Sequence, residues 1–123
     1  MRSEDAVRLV ERSWMPPPIC YVGQTVDELG RAVVSVLGEL DVWSAPELRE
    51  ILEDLAERER ATLLDLSATT FIDCAGVAVV LRAVAASERD GWSFVVADGA
   101  PPAVTALFDL ARAHRAALSG PVA

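Results

Sequence analysis

Cysteine and histidine are scarce in this chain of 123 residues, and their scarcity removes several classes of function. There are two cysteines, Cys20 and Cys74, and one histidine, His114. Two isolated cysteines provide neither a disulfide scaffold nor the paired spacing of a metal site. A cysteine nucleophile needs a neighbouring base, and His114 lies near the C-terminal end without an evident orienting partner. We therefore expect a protein that is not an enzyme and needs no metal or cofactor.

Positive charge is also in short supply, because Lys and Arg total 11 against 19 Asp and Glu, a net charge of -8. Such a chain has too few cations to neutralise the phosphates of nucleic acid or an anionic membrane surface. No apolar run approaches the roughly 18 to 20 residues that cross a bilayer. The start, residues 1–5, carries acids where a signal peptide would be apolar. We expect a cytoplasmic protein with a protein partner, without nucleic acid and without membrane insertion.

The length and the apolar content of 52% suit one domain with one packed core. Three consecutive prolines at 16–18 stop any helix that precedes them, because proline lacks the backbone N–H and fixes φ. We expect an N-terminal tail at 1–18, a folded domain at 19–118 and a C-terminal tail at 119–123.

Strand and helix patterns alternate along the folded part. β-branched runs predict strands at 20–26, 31–38, 62–66 and 92–96. Apolar residues at helical spacing predict helices from Ser44, at 74–89, and from the turn at 98–102 to about Leu118. The first two strands should pair antiparallel through a short turn, and the later ones should lie parallel through helical crossovers. The order ββαβαβα predicts an α/β domain, with helices packed on a mixed sheet of four to five strands.

The first helix has a clear start in the sequence. Ser44 followed three residues later by Glu47 matches a capping box, and Pro46 fits the first turn. One buried stripe is predicted at i, i+3, i+4 and i+7, formed by Leu48, Ile51, Leu52 and Leu55.

The segment from Thr69 to Gly76 is the most informative in the chain. Asp73 suits the N-cap of the second helix, since its carboxylate can accept from the first free N–H groups. Cys74 then lies in the first turn, where the helix dipole favours negative charge such as a phosphoryl group or a thiolate. The same residues equally suit a well-capped helix with a small residue and a glycine for close packing. Spacing alone leaves both interpretations open.

Gly38-Glu39-Leu40-Asp41, the capped helix after it, and the stretch 66–76 resemble, in this order, the STAS domain. This fold is shared by bacterial anti-sigma-factor antagonists and the cytoplasmic tails of sulfate transporters, and a free-standing chain without transmembrane helices resembles the antagonist branch. Residues 101–108 resemble the family's final helix. The resemblance implies a transcription regulator that acts by partner switching. It would bind an anti-sigma factor that is also a serine kinase, release a sigma factor, and be turned off by serine phosphorylation.

Cys74 occupies the position that resembles the family's phosphoacceptor serine, and Ala75 follows it. A thiol is not a usual kinase substrate, so the standard phosphorylation switch is not expected. Three interpretations stand: an inert residue that leaves the protein competent to bind, a redox switch, or regulation at nearby hydroxyls. The candidate hydroxyls are Ser44, Ser67, Thr69 and Thr70.

The partner surface is expected where the loop after the second strand meets the start of the second helix. Asp41 resembles a partner-contacting residue, although satisfying the loop backbone is an equally good role for it. The predicted contact residues are Glu39, Asp41, Val42, Trp43, Ser44, Ile72, Asp73, Cys74, Ala75, Gly76 and Val77. Two other functions fit the sequence, a STAS subunit of a membrane lipid-transport ATPase and a thiol-based redox-sensing regulator. We expect a monomer or a weak dimer.

Overall fold

The structure, a computed structural model, describes residues 20–119, with side chains described for 20–113. The predicted N-terminal tail, the last four residues and the side chain of His114 lie outside this range. The strands are β1 (Cys20–Val26), β2 (Ala32–Leu40), β3 (Thr62–Asp65), β4 (Thr69–Ile72) and β5 (Phe94–Val96). The helices are α1 (Ala45–Glu57), α2 (Cys74–Asp90) and α3 (Pro102–Ser119). None of the described helices is long and apolar enough to span a membrane.

The predicted α/β architecture is confirmed, with one short strand added. β1 has the predicted bounds and pairs antiparallel with β2. β2 pairs parallel with β3, and β3 with β5, as expected for strands joined by helical crossovers. The added strand is β4, which pairs parallel with the last residues of β2. β2 therefore extends to Leu40, two residues beyond the predicted end, because β4 supplies a partner for Glu39 and Leu40.

The core lies on one face of this five-stranded sheet. Alternate residues of β2 are fully buried against the helices, whereas Leu37 on the opposite face is exposed. The helices contribute their apolar stripes to the same cluster of buried side chains. Those stripes include Leu48, Leu52 and Leu55 of α1, Val77 and Val80 of α2, and Val104 of α3. This packing fixes the N-terminal ends of α1 and α2 beside one end of β2.

The predicted capping box at the start of α1 is wrong. Ser44 stands at the N-cap position with φ -98° and ψ -22°, a helical conformation, and its side chain makes no capping hydrogen bond. Its hydroxyl is engaged elsewhere, because it accepts from the backbone N–H of Asp41 at 2.9 Å and donates to the carbonyl of Glu39 at 2.9 Å. α1 begins nonetheless, since Pro46 presets the first turn and Leu48 is buried.

Candidate functional site

Two segments far apart in sequence meet at the end of β2. The parallel pairing of β2 with β4 places Leu40 beside Ile72. The backbone N–H of Asp73 then donates to the carbonyl of Leu40 at 3.1 Å. The turn after β2, residues 41–44, is thereby held against the first turn of α2, and we call these two segments together the switch-end surface. The fold thus brings the turn after β2 and the start of α2 together, as predicted.

The carboxylate of Asp73 bonds both halves of this surface. Its Oδ1 accepts from the backbone N–H of Ala75 at 2.9 Å and of Gly76 at 3.1 Å, which confirms Asp73 as the N-cap of α2. Its Oδ2 accepts from the backbone N–H of Val42 at 3.2 Å. One side chain therefore caps the helix and anchors the turn.

Asp41 satisfies the backbone of its own turn. Its Oδ1 accepts from the backbone N–H of Trp43 at 3.0 Å and of Ser44 at 3.1 Å. The Ser44 hydroxyl lies 3.2 Å from the same oxygen. These bonds are those of an Asx turn, in which a short carboxylate replaces a backbone acceptor. The turn is preorganised, and its apolar side chains are presented by a rigid frame.

Gly76 permits the close approach of α2 to β2. A Cβ atom built on it would lie 2.8 Å from the carbonyl oxygen of Leu40 and 2.8 Å from Cγ1 of Ile72. Real Cβ atoms essentially never come so near to a backbone oxygen. The glycine at this position therefore serves packing, which was one of the two interpretations of the segment.

The predicted contact residues divide into exposed and buried groups. Trp43 is 89% exposed and Val42 60% exposed, so two adjacent apolar side chains of this turn face water. Cys74 is exposed as well. By contrast Ile72, Gly76 and Val77 are buried, so they hold the surface in place without presenting side chains to a partner. The remaining predicted residues, half-buried, are Glu39, Asp41, Ser44, Asp73 and Ala75.

At the N-terminus of α2, beside Cys74, the carboxylate of Asp73 already accepts from the free backbone N–H groups. The N–H groups of Ala75 and Gly76 bond the Asp73 carboxylate, and that of Val77 donates to the Asp73 carbonyl at 3.0 Å. A negative group added to residue 74 would lie next to that carboxylate and compete for the same donors. Charge at this position would therefore loosen the anchoring of the switch-end surface.

The nearby hydroxyls differ in their access to solvent. Thr69 is fully buried and its hydroxyl donates to the carbonyl of Val36 at 2.9 Å, so an enzyme cannot reach it in the folded chain. Thr70 and Ser67 are exposed. Hydrogen bonds from the hydroxyl and the backbone N–H of Ser67 hold the pKa of Asp65 below its ordinary value. A phosphoryl group on Ser67 would be repelled by that carboxylate.

A cavity beside the switch-end surface includes residues that sequence reasoning did not single out. It has a volume of about 420 Å³ and its lining includes Val42, Ala75, Ala78, Arg49 and Arg82. The signal was present in the sequence, because positions 75, 78 and 82 recur at i, i+3 and i+7 on one face of α2. Within the described part of the chain, no group of His, Cys, Asp or Glu side chains could hold a metal ion.

Comparisons with known proteins agree with this fold. The family model described as "Mlab, STAS domain" matches residues 25–119. The solved structure of the Bacillus cell fate determinant SpoIIAA in its phosphorylated form is similar, with 16% identity and a TM-score of 0.62 over 74% of this chain and 83% of that one. An anti-sigma factor antagonist from Mycobacterium paratuberculosis shares 25% identity, with a TM-score of 0.59 over 80% of this chain and 86% of that one. A comparison with curated proteins found no match.

Proposed function

Because the chain belongs to the STAS domain family, we propose that it acts as an anti-sigma factor antagonist. In this role it binds an anti-sigma factor of the serine-kinase type, which releases a sigma factor and so regulates transcription. The similarity to an anti-sigma factor antagonist at 25% identity supports the proposal. In this role the protein acts by binding a partner and not by catalysis.

One observation carries the proposal. Exposed Trp43 and Val42 are fixed next to exposed Cys74 by the bridging carboxylate of Asp73. A rigid turn that presents a tryptophan is a typical anchor of a protein interface, since aromatic residues dominate binding energy there. A standard interface needs about 800 Å² per partner.

The regulation differs from a phosphoserine switch. Cys74 offers no hydroxyl and Thr69 is buried, so Ser67, Thr70 and the half-buried Ser44 are the candidate hydroxyls left for phosphorylation. A negative charge at residue 74 would turn binding off, because it would compete with Asp73 for the helix N–H groups and lie at the contact surface.

The test is capture of partners from the native cytoplasm with the wild type, Cys74→Ser, Cys74→Glu and Trp43→Ala, followed by identification by mass spectrometry. We expect the wild type to capture an anti-sigma kinase, the Ser variant to become phosphorylatable, and the Glu and Ala variants to lose capture. Tyr21→Ala is the matched control, because Tyr21 is 66% exposed on the opposite face of the sheet. Equal capture by all variants would contradict the switch-end surface as the contact site.

A second candidate function is a STAS subunit of a membrane lipid-transport ATPase. It is favoured by Cys74, because a structural subunit needs no phosphoacceptor at this position. Capture of a permease and an ATPase in place of an anti-sigma kinase would select this function.

A thiol-based redox sensor is a third candidate, favoured by the exposure of Cys74. Partner binding would be measured before and after Cys74 is oxidised, with the modification verified by intact mass. Unchanged binding after verified oxidation would exclude the sensor.

A further inference from the structure

α1 and α2 pack against each other and leave a groove along their outer side. Two adjoining cavities form it, one of about 420 Å³ at the switch-end surface and one of about 250 Å³ farther along the helices. Both are lined by Arg49, Val79 and Arg82, so they make one continuous depression that begins at Val42 and ends at Trp92. We call it the α1–α2 groove.

The floor of the groove is made of small and apolar side chains. α2 contributes four alanines together with Val79, and α1 contributes Leu52 and two alanines. The alanines are Ala45, Ala56, Ala75, Ala78, Ala83 and Ala86. Small side chains on a helix surface let a second backbone approach closely. Ala45, Leu52, Val79 and Ala83 are already buried, so the free energy gained on covering the floor comes from the alanines that still face water, Ala56, Ala75, Ala78 and Ala86. The groove is thus shaped to accept an element that lies along it.

The rim of the groove is positive although the chain is acidic overall. Arg49, Arg82 and Arg89 line it, against the single carboxylate of Glu53. The chain as a whole has net charge -8 and contains no lysine. Arginine is the cation suited to interfaces, since its planar guanidinium pairs with a carboxylate through two hydrogen bonds.

Arg89 is paired with Asp90, at 3.0 Å between Nη2 and Oδ2, so Arg49 and Arg82 are the rim cations that remain available. Arg49 and Glu53 approach only to 3.8 Å and both are exposed to water. Arg82 forms no salt bridge with any described residue. Exposed pairs of this kind contribute little free energy, so an incoming carboxylate can replace Glu53 at small cost.

We propose that the α1–α2 groove binds an acidic amphipathic helix of a protein partner. Apolar side chains of that helix lie on the alanine floor, and carboxylates on its flanks pair with Arg49 and Arg82. The inference rests on the proposed function in one respect, that the partner is the anti-sigma factor bound at the switch-end surface. Val42, which lines the groove at the switch-end surface, then contacts the end of the bound helix.

Other occupants fit the charges less well. An anionic membrane or a nucleic acid would meet three arginines but would be repelled by the remaining surface of a chain of net charge -8. A helix is narrow enough to contact the groove alone, about 10 Å across with its side chains. Helix-in-groove binding places the apolar anchors of one helix face in a hydrophobic groove, and the floor of alanines and Val79 leaves room for such anchors.

The test uses a synthetic peptide of about four helical turns, with Leu at the anchor positions and Glu on both flanks. A matched peptide has Lys in place of every Glu. Binding to the full ¹⁵N-labelled chain is followed by NMR chemical-shift changes and by isothermal titration calorimetry. We expect the acidic peptide to shift the amides of residues 75–86 and 45–56, to bind more weakly as salt is raised, and the Lys peptide not to bind.

Charge-reversal variants assign the binding to the groove. Arg82→Glu and Arg49→Glu should each weaken the acidic peptide by about tenfold or more, because a repulsive pair replaces an attractive one. Arg58→Glu is the matched control. Arg58 follows α1 and pairs with Asp54, and it does not line the groove. Absence of binding, equal binding of both peptides, an equal effect of all three variants, or shifts confined to other parts of the chain would each overturn the proposal.

The two proposals fail in distinguishable ways. If the acidic peptide binds the groove and the captured protein is not an anti-sigma factor, the groove stands and the proposed function falls. If an anti-sigma factor is captured through Trp43 but is held equally well by Arg82→Glu, the function stands and the groove is not its docking site. Binding of anionic phospholipid vesicles in place of the peptide would assign the arginines to a membrane surface and overturn the groove proposal.

Discussion

The carboxylate of Asp73 lies 3.2 Å from the backbone N–H of Val42, and this single bond joins two segments that are 31 residues apart. The other oxygen of the same carboxylate caps α2. The exposed turn and the helix that follows the site are therefore coupled through one side chain. A change at the N-terminus of α2 that displaces Asp73 should therefore also displace the turn that presents Trp43.

Two substitutions of Asp73 test separately its cap on α2 and its hydrogen bond to Val42. Asp73→Ala removes the cap and the bridge, and we expect the free energy of unfolding to fall by about 1–2 kcal/mol. Asp73→Asn keeps one acceptor oxygen for the cap, but its amide nitrogen cannot accept from Val42. The Asn variant should thus lose little stability while the Val42 amide exchanges faster with solvent. Denaturant unfolding and hydrogen exchange measure the two effects, and equal protection of Val42 in both variants and the wild type would contradict the bridge.

Gly76→Ala tests the close approach of α2 to β2. Alanine favours a helix by about 1 kcal/mol over glycine, but its Cβ would lie 2.8 Å from the backbone oxygen of Leu40. Because that oxygen belongs to a strand, it cannot move cheaply, and we expect a net loss of about 1–3 kcal/mol in the free energy of unfolding. Gly23→Ala is the control, since the nearest atom to its Cβ would be Cε1 of the exposed Tyr21 ring at 3.0 Å. A Gly76→Ala protein as stable as the wild type would show that the helix is not held this closely.

Thr69→Val removes a hydroxyl that bonds a backbone carbonyl of β2, at the point where β2 changes its parallel partner from β3 to β4. The pairing of β2 with β3 ends at Ser35 and its pairing with β4 begins at Gly38. Between them the carbonyl of Val36 accepts from the Thr69 hydroxyl at 2.9 Å. Valine leaves that buried carbonyl without this donor, and we expect a loss of about 1–3 kcal/mol by chemical denaturation. The exposed neighbour provides the control, and Thr70→Val should stay within about 0.5 kcal/mol of the wild type.

The fold follows from local patterns that the sequence displays. The bounds of β1, the cap at Asp73 and the stop of α2 at Gly91 are set by residues adjacent in the chain. β4 is four residues long, and its strand character depends on pairing with β2, which no local pattern encodes. Predictions based on neighbours in sequence succeed for such local features and miss pairings of short segments.

The meeting of the 41–44 turn with the first turn of α2 was predictable from the sequence, whereas the hydrogen bonds within the turn were not. Ser44 and Glu47 have the spacing of a capping box, yet the Ser44 hydroxyl bonds Glu39 and Asp41, because the preceding turn brings better-placed groups to it. The exposure of Trp43 likewise depends on which way the turn faces. Both outcomes are decided by tertiary geometry, which competes with local preference and can override it.

The two thiols should differ in reactivity and in its dependence on pH. Cys74 is exposed, whereas Cys20 is half-buried, and burial raises the pKa of the Cys20 thiol, with the negative charges of Glu47 and Asp41 acting in the same direction. The thiolate is the reactive form, so a raised pKa leaves Cys20 with a smaller reactive fraction below that pKa. We expect iodoacetamide to modify Cys74 first near neutral pH. The rate at Cys20 should keep rising with pH beyond the point where an ordinary thiol levels off. Intact mass of the single variants Cys20→Ser and Cys74→Ser, native and denatured, separates the sites, and faster labelling of Cys20 in the native chain would contradict the burial that sets this order.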